Sequence, residues 1–183
     1  MTDPGTGGSA TGEAPARCGV LLALRSLLWT VLLPGVAAGW VPWRFFGLRW
    51  LRLDLAASHQ AAGAVCAVAG VLLLGLCIWE FARRGLGTLS PVDPPRQLVV
   101  RGPYQFVRNP MYLAVTLVLL GEALAAWSRP LFLYWVGWFA AVNLMVIGYE
   151  EPSLRGRFGE SYERYARRVR RWIPGRGRGA PLG

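Results

Sequence analysis

The sequence predicts an all-α fold: a multi-pass transmembrane helical bundle of about four spans with a cytoplasmic, interfacial carboxy-terminal amphipathic helix. Three observations predict it. The chain of 183 residues is 54% hydrophobic, above the ~45–50% of ordinary globular domains, and its mean hydropathy is +0.34. That excess is concentrated in long uncharged runs. The basic residues, all arginine, gather between and after those runs and leave a formal charge of +10. Such a length suits a single domain, expected over residues 17–174, between a leader (1–16) and a flexible tail (175–183).

The leader carries only Asp3 and Glu13 as charges and shows no apolar periodicity, so it is expected to be disordered. Ser26 to Trp43 follows as 18 uncharged residues with Pro34-Gly35 inside. No small-x-small cleavage site followed by a soluble domain is visible, so this first span is expected to be retained. Leu55 to Trp79 (25 residues) and Pro130 to Tyr149 (20 residues) are uncharged, and Met111 to Trp127 (17 residues) is interrupted only by Glu122. The two longest are each sufficient for a ~30 Å hydrocarbon core at ~1.5 Å per residue. After Ser153 there are nine arginines against Glu160 and Glu163, whereas only Arg129 lies between the third and fourth runs. The positive-inside rule therefore puts the tail and the Arg83–Arg108 loop in the cytoplasm, with the third and fourth spans forming a hairpin open to the other side. Arg44, Arg49 and Arg52 then fall outside. Two readings stay open: the first segment does not fully cross, or this loop lies on the surface with its arginines on headgroups.

Between the second and third spans, Arg83 to Arg96 holds three prolines and two glycines, which exclude a continuous helix. Gly85-Leu86-Gly87 lacks the third glycine of a dinucleotide fingerprint and follows a membrane span rather than a strand. Leu98-Val99-Val100 reads as extended and Gly102-Pro103 as a turn. Asn109 is expected to cap a helix that starts at Pro110. At the far end of the fourth span, Pro152 is expected to take Glu151 out of helical geometry and bend the chain at the Glu150-Glu151 pair. Beyond it, Leu154, Phe158, Tyr162, Tyr165 and Val169 form one apolar stripe at helical spacing, with Arg155, Arg157, Arg164, Arg167, Arg168 and Arg171 around it. Such a helix is expected to lie on anionic lipid headgroups, at up to ~1 kcal/mol per basic residue.

Chemistry concentrates in two places. From Arg101 to Tyr112, polar and aromatic groups meet the start of an apolar run, and Arg108 suits bidentate pairing with a carboxylate. The plainer reading is an anchor, with tyrosines at headgroup level and Arg108 snorkelling. Glu150 and Glu151 carry a desolvation cost at the end of an apolar span unless cations or water meet them. Successive helical residues point roughly 100° apart, so at most one faces a buried site. That carboxylate can hold hydroxyls or an ammonium group, or take a proton. Elsewhere the sequence favours structural roles. Glu122 is expected at the opposite interface, near Arg129, with the single histidine, His59, also interfacial; Asn143 is expected to bond a neighbouring helix. Gly63, Gly70 and Gly75 permit close packing, and Cys18, Cys66 and Cys77 read as small apolar side chains without metal-type spacing. No metal site is expected.

Gly-Thr-Leu-Ser-Pro from Gly87, Gly102-Pro103-Tyr104, Arg108-Asn109-Pro110-Met111-Tyr112, Glu150-Glu151, Phe158-Gly-x-x-Tyr162-x-x-Tyr165 and Arg171-Trp172-Ile173-Pro174 together resemble the isoprenylcysteine carboxyl methyltransferase family. The resemblance covers residues 87–174. That family and the related phospholipid N-methyltransferases are integral to membranes and use S-adenosylmethionine. The resemblance implies an S-adenosylmethionine-dependent methyltransferase acting on a lipidic or membrane-partitioned acceptor: a carboxylate, thiol or amine. It implies a cytoplasmic cofactor pocket made by Gly102, Tyr104, Arg108, Asn109, Pro110, Tyr112, Glu150 and Glu151, with Tyr162 and Tyr165 covering it and Arg108, Glu150 and Glu151 as the catalytic candidates. The family frequently has His where this chain has Asn109, and an amide cannot titrate. The alternatives are an NADPH-dependent membrane reductase, because sterol reductases look similar in this half, and a non-enzymatic scaffold on anionic lipid. Nucleic acid is not an expected partner.

Overall fold

A computed structural model of the chain describes residues 32, 34–46, 54, 56–84 and 100–174. The leader, Cys18, the connector over 85–99 and the tail over 175–183 lie outside the described residues, as does much of the first expected span. A π-helical stretch, Val36–Trp40, runs into α1, Val41–Phe45. Then come α2 (Ser58–Arg84), a 3-10 turn (Gly102–Gln105), α3 (Pro110–Ala126) and α4 (Arg129–Met145). A second π turn, Val146–Glu150, leads to α5 (Glu151–Phe158) and α6 (Glu160–Arg168). Among the described residues the regular structure is helical, with one isolated parallel bridge between Val107 and Arg170.

Among the described residues, two helices are long and apolar enough to cross a membrane: Ser58–Glu80 and the continuous Arg129–Phe158, while Pro110–Ala126 is apolar but shorter. Their outward faces are apolar as well. Val65, Val68, Val71, Leu72, Leu76 and Trp79 on α2, and Leu133, Val136 and Leu144 on α4, are exposed. A soluble helix turns its polar stripe outward, so apolar faces of this extent fit hydrocarbon.

What holds α2 to α3 is backbone proximity. A Cβ on Gly70 would sit 2.6 Å from the Ala114 carbonyl oxygen, and one on Gly121 would sit 2.6 Å from both Ala67 N and the Gly63 carbonyl oxygen. With no hydrophobic drive between helices in lipid, such small-residue contact supplies the dispersion that joins them. The pairing of Gly63 with Gly121 and Gly70 with Ala114 makes the helices antiparallel. Of the three glycines expected to do this, Gly75 has nothing within 4 Å of its Cβ position and takes no part. A two-residue connection, with Trp127 in the left-handed region (φ 47°), returns the chain into α4. Trp135 Nε1 donates to the Thr116 carbonyl at 3.1 Å, and the Tyr134 hydroxyl donates to the Ala37 carbonyl at 2.9 Å, bringing the first π stretch onto α4.

The expected bend at Glu150-Glu151 is absent. Glu151 is helical (φ −63°, ψ −43°) and the helix runs through it for 30 residues, Arg129–Phe158. The preceding π turn, closed by Glu151 N–H on the Val146 carbonyl, shifts the hydrogen-bond register just ahead of Pro152. The proline ring and its missing N–H then fall on a widened turn instead of against a carbonyl one α-turn back. The break comes later, at Gly159 (φ 50°, ψ −125°), a conformation reserved for glycine. The apolar stripe also behaves differently from expectation. Tyr162, Tyr165 and Val169 are buried, packed by Val100, Leu154, Phe158 and Ala166. The stripe lies against the protein and not on lipid, because its phenols find partners inside.

Gly70→Ala and Gly121→Ala are expected to lower stability by about 1–3 kcal/mol each through overpacking, while Gly75→Ala is expected to cost nothing. Thermal melts of the detergent-solubilised variants check this; equal losses at Gly70 and Gly75 would contradict the contact described.

Candidate functional site

The site is built where the arm preceding α3 meets the end of α4. Gly102 opens the arm with φ +60°, and a Cβ there would come within 2.7 Å of Glu80 Cγ. Glycine is therefore required twice, for the left-handed backbone and for the approach of α2. The 3-10 turn follows, then the Val107–Arg170 bridge, in which Arg108 N–H donates to the Arg170 carbonyl at 2.9 Å. Asn109 takes the N-cap position and Pro110 starts α3 as expected, although the Asn109 side chain makes no capping bond. Tyr104, Arg108 and Tyr112 thus come from three different local structures, and no single helical face carries them.

Two clusters result. In the first, the buried Glu151 carboxylate, 5% exposed, receives Arg108 Nη1 at 3.0 Å and Arg171 Nε at 2.8 Å on Oε1, and Arg171 Nη2 at 3.0 Å on Oε2. Arg155 stands 3.7 Å from Oε2. The Tyr162 hydroxyl lies 3.5 Å from Arg108 Nη1. Arg108 Nε is buried without a hydrogen-bond partner. In the second cluster, Tyr112 and Glu150 share a hydrogen bond, with Tyr104 in electrostatic reach of Cys77, Tyr165, Glu150 and Tyr112. The Tyr165 hydroxyl donates to the Tyr104 carbonyl at 2.7 Å, joining α6 to the arm. The pair of adjacent glutamates is therefore divided between the clusters, as their angular separation requires.

Burial pushes the phenols of Tyr104, Tyr162 and Tyr165 up. They remain neutral hydrogen-bonding groups near neutral pH. The Glu151 carboxylate holds the Arg171 guanidinium above its ordinary value. Beside the clusters, Leu73, Leu76, Trp79, Glu80, Gly102, Pro103 and Phe106 line a cavity of about 330 Å³. This space is largely apolar and opens along the exposed face of α2.

Sequence reasoning missed Arg171 as a partner of Glu151 and read Asn143 as a bond between helices. Instead, Asn143 Oδ1 accepts from Trp172 Nε1 at 2.9 Å, and the Trp172 ring packs on Phe139 at 5.4 Å. In the sequence this segment shows only as the Arg-Trp-Ile-Pro string and as Arg171 among the arginines around the stripe. Glu122 stands ten residues along α3 from Tyr112, roughly 15 Å away, with one oxygen enclosed and without a partner and with Tyr134 in reach. The His59 ring lies tilted against Trp127, with centroids 5.5 Å apart, at that same end of the bundle. Neither joins the site.

The phospholipid methyltransferase family matches residues 58–161, more than half of the chain. The protein belongs to this family. Isoprenylcysteine carboxyl methyltransferase-like proteins belong to it too. The matched stretch holds α2, α3, α4, Arg108, Glu150 and Glu151, and stops before Tyr162, Tyr165 and Arg171. An uncharacterized protein of Haemophilus influenzae is 38% identical over 66 residues, covering 34% of this chain and the whole of that protein. No solved structure matches the chain. Family membership supports a membrane methyltransferase in general.

Glu151→Gln leaves Arg108 and Arg171 sharing a neutral partner and is expected to cost about 3 kcal/mol. Glu160→Gln, at an exposed pair with Arg164, is expected to change stability by less than about 1 kcal/mol. Comparing their unfolding midpoints separates a buried hub from surface charge.

Proposed function

We propose that the protein is an integral-membrane, S-adenosylmethionine-dependent methyltransferase whose acceptor is lipidic or membrane-partitioned and whose site faces the cytoplasm. The observation that carries this reading is Arg108: a nearly buried guanidinium, inside the family-matched stretch, whose Nε is enclosed without a partner. A buried donor in that state is costly unless a ligand meets it. A carboxylate, such as that of an amino-acid-bearing cofactor, suits it.

Arg108 would hold the cofactor's carboxylate, helped by the amides opening α3 behind Asn109 and Pro110. Glu150 would take its ammonium or ribose hydroxyls, steadied by Tyr112. Gly102 and Tyr104 shape the arm, and Tyr162 and Tyr165 cover the site. Bound, the cofactor supplies a methyl group on a positive sulfur, open to in-line displacement by a nucleophile. The chain's own work is then alignment and exclusion of water, with neutral phenol faces attractive to a cation. A carboxylate acceptor needs no base; a protonated amine would give its proton to Glu150. Asn109 can hydrogen-bond but not carry that proton. Orientation follows from the arginine excess after Ser153, whose exposed members would meet anionic headgroups.

The purified protein in detergent is expected to be stabilised by S-adenosylmethionine and by S-adenosylhomocysteine, by ~2.7 kcal/mol at a hundredfold excess over Kd. Arg108→Ala and Glu150→Gln are expected to lose that shift while still inserting into membranes. Stabilisation by NADPH alone would replace this reading with the reductase, and no response to either nucleotide would leave a scaffold.

A further inference from the structure

Three successive residues of the carboxy-terminal segment each grip a different part of the site. The Arg170 carbonyl accepts the Arg108 backbone N–H. Arg171 closes a two-pronged fork on both oxygens of Glu151. Trp172 is tied to Asn143 and Phe139 on α4. The segment therefore reaches Arg108 by two routes, through its main chain and through the carboxylate that holds its Nη1.

Glu151 is consumed by this arrangement. Three charged hydrogen bonds from two arginines, with Arg155 as a third cation at 3.7 Å, take up most of a carboxylate whose acceptor capacity is about four lone-pair positions. Arg108 has the opposite status: one edge is held by Glu151 and Tyr162, and Nε is still enclosed without a partner. A long side chain with one donor still unmet loses rotamer entropy when it binds, and that loss falls if a neighbour has already fixed its orientation.

We infer that Arg171 is a positioning residue that acts through Glu151 to hold Arg108 ready for the cofactor's carboxylate, and that Glu151 itself touches no part of the cofactor. This rests on the function proposed above. Two carboxylates that look equivalent in the sequence then have separate duties, with Glu150 at the ligand and Glu151 behind Arg108. It also places the last functional residue beyond the family-matched stretch, in a segment whose arginines otherwise read as surface charge.

The test uses the full-length protein in nanodiscs and two probes, S-adenosylhomocysteine and its decarboxylated analogue, with affinities measured by calorimetry. Arg171→Ala is expected to weaken S-adenosylhomocysteine about 10–100-fold, roughly the worth of one charged hydrogen bond. The analogue, which has no carboxylate for Arg108, is expected to change less than about twofold. Arg171→Lys, which restores charge without the fork, is expected to recover part of the loss, and Arg171→Gln none. Equal weakening of both probes would make Arg171 a purely structural support and overturn the inference. Unchanged affinity for S-adenosylhomocysteine would overturn it as well. If the analogue binds wild type too weakly to measure, recovery in Arg171→Lys but not in an equally stable Arg171→Gln decides for positioning, and equal affinity in those two decides against. Failure of the wild-type protein to bind S-adenosylhomocysteine at all would instead strike the proposed function.

Discussion

The buried carboxylate of Glu151 is the constraint around which the cytoplasm-facing end, as we propose it, is organised. A carboxylate at the end of a long apolar helix has lost much of its hydration, and without cations it would destabilise the fold by several kcal/mol. Arg108 and Arg171 meet it, and they arrive from opposite sides in sequence: one from the arm before α3, the other from the segment after α6. Their pairing is what brings 102–112 and 169–174 together on the end of α4. The bridge at Val107–Arg170 and the Tyr165–Tyr104 bond follow from that approach.

Stability is organised differently at the two levels of the molecule. Between α2 and α3, the helices meet by backbone contact at glycine and alanine, since lipid offers no hydrophobic reason for association. Around α6, burial returns as a driving force, and the small cluster of Tyr162, Tyr165 and Val169 with its neighbours resembles the core of a soluble protein. Phenols suit this boundary because they contribute apolar area and still offer one hydrogen bond each. The left-handed glycine at 159 lets α6 turn that face inward.

On the function proposed here, the paired glutamates let one helix supply a ligand group and its support. A rotation of roughly 100° between neighbours sends Glu150 toward Tyr112 and Glu151 toward the arginines. The π turn that ends at Glu150 matters here, since an extra residue in a helical turn re-aims everything that follows. π turns often mark functional positions for that reason. Membership in the phospholipid methyltransferase family fits this division, because the matched residues include the pair, the arm and the helices that carry them.

Sequence alone determined the helical class with its long apolar runs, the helix start at Asn109-Pro110 and the family. These are local or compositional properties: uncharged length, the fixed φ of proline, a string of residue types in order. The apolar character of α2 and α4 was legible too, since each comes from an uncharged run of 20 residues or more. Only the tertiary structure decided that the helix continues through Pro152, that the stripe from Leu154 to Val169 turns inward, and that Gly63 and Gly70 meet α3 while Gly75 does not. It alone joined Arg171 to Glu151 and Trp172 to Asn143. The physical reason is the same in each case. An arginine has the same local sequence signature whether it faces water, headgroups or a buried carboxylate, and a tyrosine stripe has the same spacing against lipid or protein. Which partner removes it from water is a property of residues twenty to sixty positions away.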